Sequence, residues 1–369
     1  MAIMYSELPA DMRDQHPYHM YNEIKAQPQA VARSLALSSH LTEEARDALA
    51  RARRVYLTGC GTSFHAARAG AEMIRTFTDG ALEVQAIQAY EFVTYLPELK
   101  PEDAVVALTH SGVTKMTLRA IARANESRAS SIVITGFADS AAGKAGTITI
   151  PSGYNDELSW AHTVSYTSAL ATLAAVGNSL ATTRRRLDLS PLPEVMAEAL
   201  QLEEMAHRLA AGALVTERFQ EPPWILIVGG GPNEATAHEG VLKLLETSYV
   251  RAGAFELEQV LHGPLAAADE GTMAILLCPA GRSTERAAQL VQALLRLEIT
   301  PVVICGGDNQ ASFEDAHRLI LPDLPEVLSP IPYVVPLQFF AYFLSVGKGY
   351  NPDLIHRDEE RYREAARAV

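Results

Sequence analysis

The feature that most constrains this chain is a strand-and-turn pattern met twice at one offset. Val55-Tyr-Leu-Thr-Gly-Cys-Gly-Thr-Ser63 is answered by Ile225-Leu-Ile-Val-Gly-Gly-Gly-Pro-Asn233, about 170 residues further on. Each run is apolar and rich in β-branched residues, then breaks into glycines and small polar groups. That pattern describes a buried parallel strand ending in a tight turn before a helix, where backbone N–H groups can face an anion. The offset recurs: residues 104–108 are answered by 273–277, 131–135 by 301–305, and 147–150 by 318–321. Matched strands at one spacing predict a duplicated α/β domain, each copy a doubly wound, mostly parallel sheet flanked by helices.

A chain of 369 residues can hold two such domains, each with its own core. The expected organisation is a polar helical segment over 1–50 with a break at Gln27-Pro28, then a first unit over 51–185 that closes on an apolar helix at 166–180. A helical linker over 186–222 follows, and Glu221-Pro-Pro-Trp224 opens a second unit over 223–346. That unit closes on a helix at 336–346, and an Arg- and Glu-rich tail occupies 347–369. The apolar stretch 333–346 carries Pro336 and Gln338 and is too short for a bilayer, so a buried helix and no membrane partner are expected.

Charge and cysteine content narrow the classes. A net charge of −13 argues against a nucleic-acid surface, yet leaves room for a phosphorylated small ligand held by amides and hydroxyls. Cys60, Cys278 and Cys305 are odd in number and lack paired metal spacing, and Met1-Ala-Ile-Met-Tyr5 is soon followed by Glu7. A reduced cytoplasmic protein without a metal is the expectation.

Two turns of the first unit are candidates for holding phosphate: Gly59-Cys-Gly-Thr-Ser63 and Thr109-His-Ser-Gly-Val-Thr114. On adjacent parallel strands they would lie side by side, so the hydroxyls of Ser63, Thr109, Ser111 and Thr114 converge. A helix beginning near Thr114 adds its amides and positive dipole end. Plain helix caps account for either turn taken alone. A dinucleotide cofactor is rejected, because the third glycine of a G-x-G-x-x-G pattern is Phe64 in one copy and Glu234 in the other. No other cofactor is called for.

In the second unit Glu239, Lys243 and Glu246 are spaced i, i+4, i+7 on one helix face. A solvated face with an ordinary ion pair is the plain alternative. His262, locked in Leu261-His-Gly-Pro264, is either an acid–base group or a satisfied core histidine.

The run Ala237-His-Glu-Gly-Val-Leu-Lys-Leu-Leu-Glu-Thr-Ser-Tyr249, followed by Leu261-His-Gly-Pro-Leu265, resembles the isomerase half of the glucosamine-6-phosphate synthase family. That half is a pair of sugar-isomerase (SIS) domains. Gly59-Cys-Gly-Thr-Ser63, the Ser111–Thr114 turn and the entry run His19-Met-Tyr-Asn-Glu-Ile-Lys-Ala-Gln-Pro28 carry the same likeness, over residues 19–350. The resemblance implies two tandem SIS domains. It implies that Ser63, Thr109, His110, Ser111 and Thr114, in turns begun by glycines such as Gly61, bind the sugar phosphate, with Thr62 near the sugar hydroxyls. Glu246 falls on the base that moves a proton between C1 and C2, with Lys243 one turn before it and Glu239 on the same face. His262 falls on the ring-opening histidine that reaches a neighbouring subunit's site, which implies a homodimer.

Three departures shape the expected activity. Only about eighteen residues precede the match and no cysteine follows Met1, so ammonia from glutamine is not expected. No lysine follows Lys348, and Arg cannot form a Schiff base at neutral pH. Trp160 and His162 stand where the synthase has small residues lining the sugar, which points to a different substituent at C1 or C2. The expected function is isomerisation and deamination of an amino-sugar 6-phosphate. Deglycation of a ketosamine 6-phosphate is the sibling reading, and a non-catalytic sugar-phosphate sensor the third.

Overall fold

The computed structural model describes residues 11–96, 98–214 and 224–368; the first ten residues and Glu221-Pro-Pro223 lie outside them. The first sheet holds β1 (Arg54–Thr58), β2 (Glu83–Ala86), β3 (Asp103–Leu108), β4 (Ser130–Thr135) and β5 (Ile148–Pro151), in the order β2-β1-β3-β4-β5. The second holds β6 (Ile225–Gly229), β7 (Ala252–Glu256), β8 (Met273–Cys278), β9 (Val302–Gly306) and β10 (His317–Leu321), in the equivalent order β7-β6-β8-β9-β10. Every pairing is parallel. Arg54 stands beside Asp103 in one copy and Ile225 beside Met273 in the other, so the duplication extends to register.

The first half carries α1 (His19–Ala50), α2 (Thr62–Phe77), α3 (Ala89–Thr94), α4 (Lys115–Glu126), α5 (Ala141–Ala145) and α6 (Val164–Leu180). Two connecting helices follow, α7 (Leu192–Ala199) and α8 (Glu203–Leu214). The second half carries α9 (Pro232–Lys243), α10 (Thr284–Arg296) and α11 (Pro330–Gly347), and the tail adds α12 (Glu360–Arg367).

The N-terminal segment differs from the sequence expectation. Helix α1 runs unbroken through Pro28. Proline removes the N–H that would bond the Ile24 carbonyl. The Gln27 side chain repairs this, its Nε2 donating to Ile24 O at 3.1 Å. The same amide donates to Gln338 on α11 at 2.8 Å, and Gln27 Oε1 accepts from Thr167 on α6 at 2.9 Å. Helix α1 is therefore a core element, with Met20, Ile24 and Val31 fully buried, that joins the apolar helices of both halves. Its opening amides, on His19 and Met20, donate to the two carboxylate oxygens of Asp353 at 2.9 and 2.8 Å, a cap supplied from the tail.

Helix α11 begins six residues earlier than expected, because prolines at 330 and 332 are tolerated in a first turn where the N–H is orphaned anyway. By length and composition it could cross a membrane, but 83% of it is buried inside the protein, as a core helix is.

Candidate functional site

Strands β1 and β3 are parallel neighbours, so their carboxyl ends set the two hydroxyl-bearing turns side by side. The first turn reaches φ 55° at Gly61, matched by φ 55° at Gly231 before α9. The second turns at Gly112, φ 68°, where an added Cβ would stand 1.9 Å from Ser140 Oγ, so only glycine fits. Buried Thr109 pins this turn. Its Oγ1 accepts from the Gly112 N–H at 3.3 Å and donates to Thr114 Oγ1 at 3.4 Å. Thr114 is the N-cap residue of α4, yet its side chain makes no capping bond. The plain-cap reading therefore fails at this position, and the amides opening α4 are left to other acceptors.

Both turns face a cavity of about 260 Å³. From the first half it is lined by Gly61, Thr62, Ser63, Thr109, His110, Ser111 and Thr114. His162 and Tyr166 close it on another side, and among the described residues Glu246 is the one lining residue contributed by the second half. Thus the acid from the rear domain and the turns of the front domain meet within one chain.

The sequence expected Glu239 and Lys243 at the sugar; they stand one layer behind it, outside the cavity wall. Nor are they on a solvated face. Both side chains are wholly buried, and Lys243 Nζ lies 3.3 Å from Glu239 Oε1 and 2.6 Å from Glu246 Oε2. Nζ also donates to Thr62 Oγ1 at 3.2 Å and to the His162 carbonyl at 2.9 Å. Glu239 accepts from Thr62 Oγ1 at 3.1 Å and pairs with His65 Nδ1 at 2.8 Å. The column ties α9 to α2 and to the loop before α6. Burial opposes every charge here; Lys243 nevertheless holds Glu239 below the ordinary carboxylate range, and the two carboxylates hold Lys243 above its own. Glu246 goes the other way, pushed up chiefly by burial against the lowering effect of Lys243.

A local irregularity delivers Glu246. After Lys243 the helix widens into a π turn over Leu244–Ser248 and stops at Tyr249 with φ 56°. Single π turns inside α-helices occur often at functional sites. Here the turn leaves Glu246 with 23% of its side chain accessible beside a fully buried lysine.

The loop 157–163 supplies the remaining polar wall. Glu157, which the sequence reading did not single out, has a fully buried side chain. Its Oε1 accepts from the amides of Thr163, Val164 and Ser165, at 2.6, 3.0 and 3.4 Å, and so caps α6. Its Oε2 pairs with His162 Nδ1 at 2.7 Å. A carboxylate placed just before an apolar helical run was the available signal. Glu23 of α1 holds the loop from behind, accepting from the Leu158 and Ser159 amides at 2.6 and 3.0 Å. Burial and then the charge of Glu157 push the Glu23 carboxyl well above the ordinary range.

His110, Glu157 and His162 bring possible ligand atoms within 4.8 Å of one another. The set does not fit a metal. Both Glu157 oxygens are already engaged, and His110 Nδ1 is buried without a partner where a metal-bound histidine would hold an outer acceptor. Burial lowers His110 to about 4, so that ring is neutral.

Two expected residues lie elsewhere. Trp160 does not line the cavity. Its amide donates to the Asp353 carbonyl at 3.0 Å and its ring lies 5.5 Å from the Arg357 guanidinium, so the tail draws it outward. His262 is neither in the cavity nor in the core. It is 69% accessible, with Nε2 3.0 Å from Glu258 Oε1, on a short loop beyond β7.

Comparison with known proteins agrees with this architecture. The SIS domain model matches residues 48–179 and 219–346. The Bos taurus glutamine–fructose-6-phosphate aminotransferase [isomerizing] 2 is 29% identical over 96% of this chain, which spans 53% of that protein, about half its length. Among solved structures, the C-terminal domain of glucosamine-fructose-6-phosphate aminotransferase from Francisella tularensis superposes with TM-score 0.81 at 21% identity, covering 92% of this chain and 98% of that one. Glucosamine-6-phosphate deaminase from Thermotoga maritima gives 0.73 at 18% identity, covering 91% and 97%. At such identities these structures show the fold. With the family model matched once over each parallel sheet, the chain belongs to the SIS domain family and carries two SIS domains in tandem.

Proposed function

We propose that the chain is an isomerase and deaminase of a phosphorylated amino sugar, a glucosamine-6-phosphate-like molecule, acting by ring opening and proton transfer between C1 and C2. The observation that carries this reading is the single cavity shared by the hydroxyl-bearing turns and Glu246. A phosphate on Ser63, Ser111, Thr114 and the α4 amides leaves the sugar's reactive end free to approach the carboxylate. A base working on a carbon acid benefits from a raised pKa, and burial raises that of Glu246. Lys243 stands against the same carboxylate and tunes it. His262, exposed on its loop, would serve ring opening in a neighbouring copy, which makes the working form a cytoplasmic homodimer. The fructose-6-phosphate aminotransferase and glucosamine-6-phosphate deaminase among the similar proteins support a phosphosugar substrate.

The test is a panel of hexosamine 6-phosphates, ketose 6-phosphates and ketosamine 6-phosphates carrying an amino acid, assayed for ammonia and for product sugar phosphate. Equal yields of ammonia and ketose phosphate from a hexosamine 6-phosphate are expected. Release of an amino acid from the ketosamine alone would replace this reading with deglycation, and tight binding without turnover would replace it with sensing. For the phosphate cradle, Ser111→Ala combined with Thr114→Ala should weaken fructose 6-phosphate binding more than about tenfold by calorimetry, the loss of two hydroxyl contacts to a charged group. Unchanged affinity would put the phosphate elsewhere.

A further inference from the structure

The reaction proposed above needs two proton carriers. One moves the carbon-bound proton between C1 and C2; the other serves the oxygen or nitrogen on those carbons, whose charge rises and falls as the double bond shifts. Glu246 fills the first role. The cavity wall offers four more titratable side chains, Cys60, His110, His162 and Tyr166. Tyr166 is 1% accessible and burial pushes its hydroxyl well up. Burial pushes the Cys60 thiol up as well. His110 is only 10% accessible, and its Nε2 is directed at Glu157, 3.9 Å away.

His162 differs from all three. Its side chain is 35% accessible although its carboxylate partner is wholly buried. Nδ1 is taken by Glu157 at 2.7 Å, which leaves Nε2 as the nitrogen available to a ligand. The backbone of the same residue is held by Lys243 Nζ, which also touches Glu246, so His162 is tied to the partner of the base while its ring packs against His110 of the second turn. The arrangement is a buried carboxylate orienting an imidazole by one nitrogen and presenting the other, a device that fixes tautomer and direction.

Resting on the proposed isomerase chemistry, we infer that His162 is a second catalytic residue, the proton donor and acceptor for the heteroatoms on C1 and C2, and that Glu157 is its positioning residue. In the first half-reaction Glu246 takes the proton from C2. The released electron pair forms the C1=C2 bond, the carbonyl pair moves onto O1, and O1 takes the proton of His162 Nε2. In the second half His162 removes a proton from the nitrogen on C2, the electrons form C2=N, and C1 takes the proton back from Glu246. Both groups finish as they began, and water then adds to the imine to release ammonia. The imidazolium needed at the start is favoured by Glu157, which with its hydrogen bond raises His162 above the ordinary range against the cost of burial.

The groups facing His162 set its pH response. Glu157 on its own loop and Glu246 on the π turn favour its charged form, whereas Lys243 on α9 opposes it. Neutral His110, after β3, abuts it with ring centres 5.1 Å apart. Because the imidazolium is the competent form, activity falls as pH rises through its pKa. Glu157→Gln removes the charge that holds that pKa up, so the alkaline limb of kcat/KM should move to lower pH. A purely structural role would scale the whole profile down without moving the limb.

The experiment uses the full chain and whichever hexosamine 6-phosphate it turns over. His162→Gln is expected to lower kcat about 100-fold or more, with KM for that substrate and affinity for fructose 6-phosphate within about threefold. Exchange of the C2 proton with D2O, followed by NMR, should slow by a similar factor. Retained affinity shows the variant to be folded; lost affinity in His162→Gln would make the residue a binding or packing group and overturn the inference. Activity within threefold of the parent in His162→Gln, or an unmoved alkaline limb in Glu157→Gln, would also overturn it while leaving the proposed function intact. A parent chain inert toward the whole panel would overturn both together.

Discussion

Replacing Glu246 by Gln should lower kcat about 10²–10⁴-fold, the usual worth of a positioned general base, while fructose 6-phosphate binds within a few-fold of the parent. The amide keeps the shape of the side chain but cannot take a proton from carbon. Binding should survive because the proposed phosphate cradle belongs to the turns after β1 and β3, on the front domain. Folding should survive too, since Lys243 keeps Glu239 as a partner at 3.3 Å. In the proposed reaction the parent chain should lose activity on acidification with a midpoint above that of an ordinary carboxylate, because burial raises Glu246 and a carboxylate base must be ionised to act. Steady-state kinetics beside calorimetric binding reads both parts. A variant with more than a tenth of parental turnover would remove the carboxylate from the proton-transfer step.

The second large effect is on stability. Lys243→Met leaves Glu239 and Glu246 in the interior without their shared cation. Breaking a buried ion pair by removing one partner costs about 3–5 kcal/mol, so the midpoint of urea unfolding should fall sharply. Adding Glu239→Gln should recover part of the loss, because the amide no longer needs the cation; a double-mutant cycle measures that coupling. The pH dependence has a definite sign. Glu239 has a depressed folded pKa, so its contribution is present above the unfolded value and is lost as pH falls through the folded one. In Lys243→Met that depression is weakened, with His65 and Thr62 left to sustain it, and the gap to the parent should narrow at acid pH. The lysine also lowers Glu246, so any residual activity should show its acid limb at higher pH. An unfolding midpoint equal to the parent's would mean the charges are solvated after all.

The central strands were legible because parallel strands covered on both faces must be apolar throughout, and β3, buried along its whole length, is the clearest case. The edge strands β2 and β7 escaped notice for the opposite reason. Glu83 and Gln85 are exposed on one, and no residue of the other is fully buried, so neither has a strong apolar signature. The two hydroxyl-bearing turns could be read from glycine and hydroxyl spacing, since a tight turn before a helix admits few residue types. What spacing did not reveal is depth. An i, i+4, i+7 column looks alike whether it faces water or a protein core, and here the π turn separates Glu246, at the cavity, from Glu239 and Lys243 behind it. Pro28 misled because its cost is met by a side chain, Gln27, rather than by the backbone. Expectation placed Trp160 at the sugar and gave Glu157 no role. The aromatic ring found the tail, and the acid beside it became the partner of His162.

The carboxylate of Asp353 has a consequence for how the protein is made. The amide it caps belongs to a residue 334 positions earlier, so the first long helix leaves the ribosome without the group that completes its opening turn. At 5–20 residues per second, that wait lasts roughly 20–70 s. Until residue 353 has been added, the nascent front domain has an unfinished helix start against its core, and the arrival of that carboxylate is what fastens it.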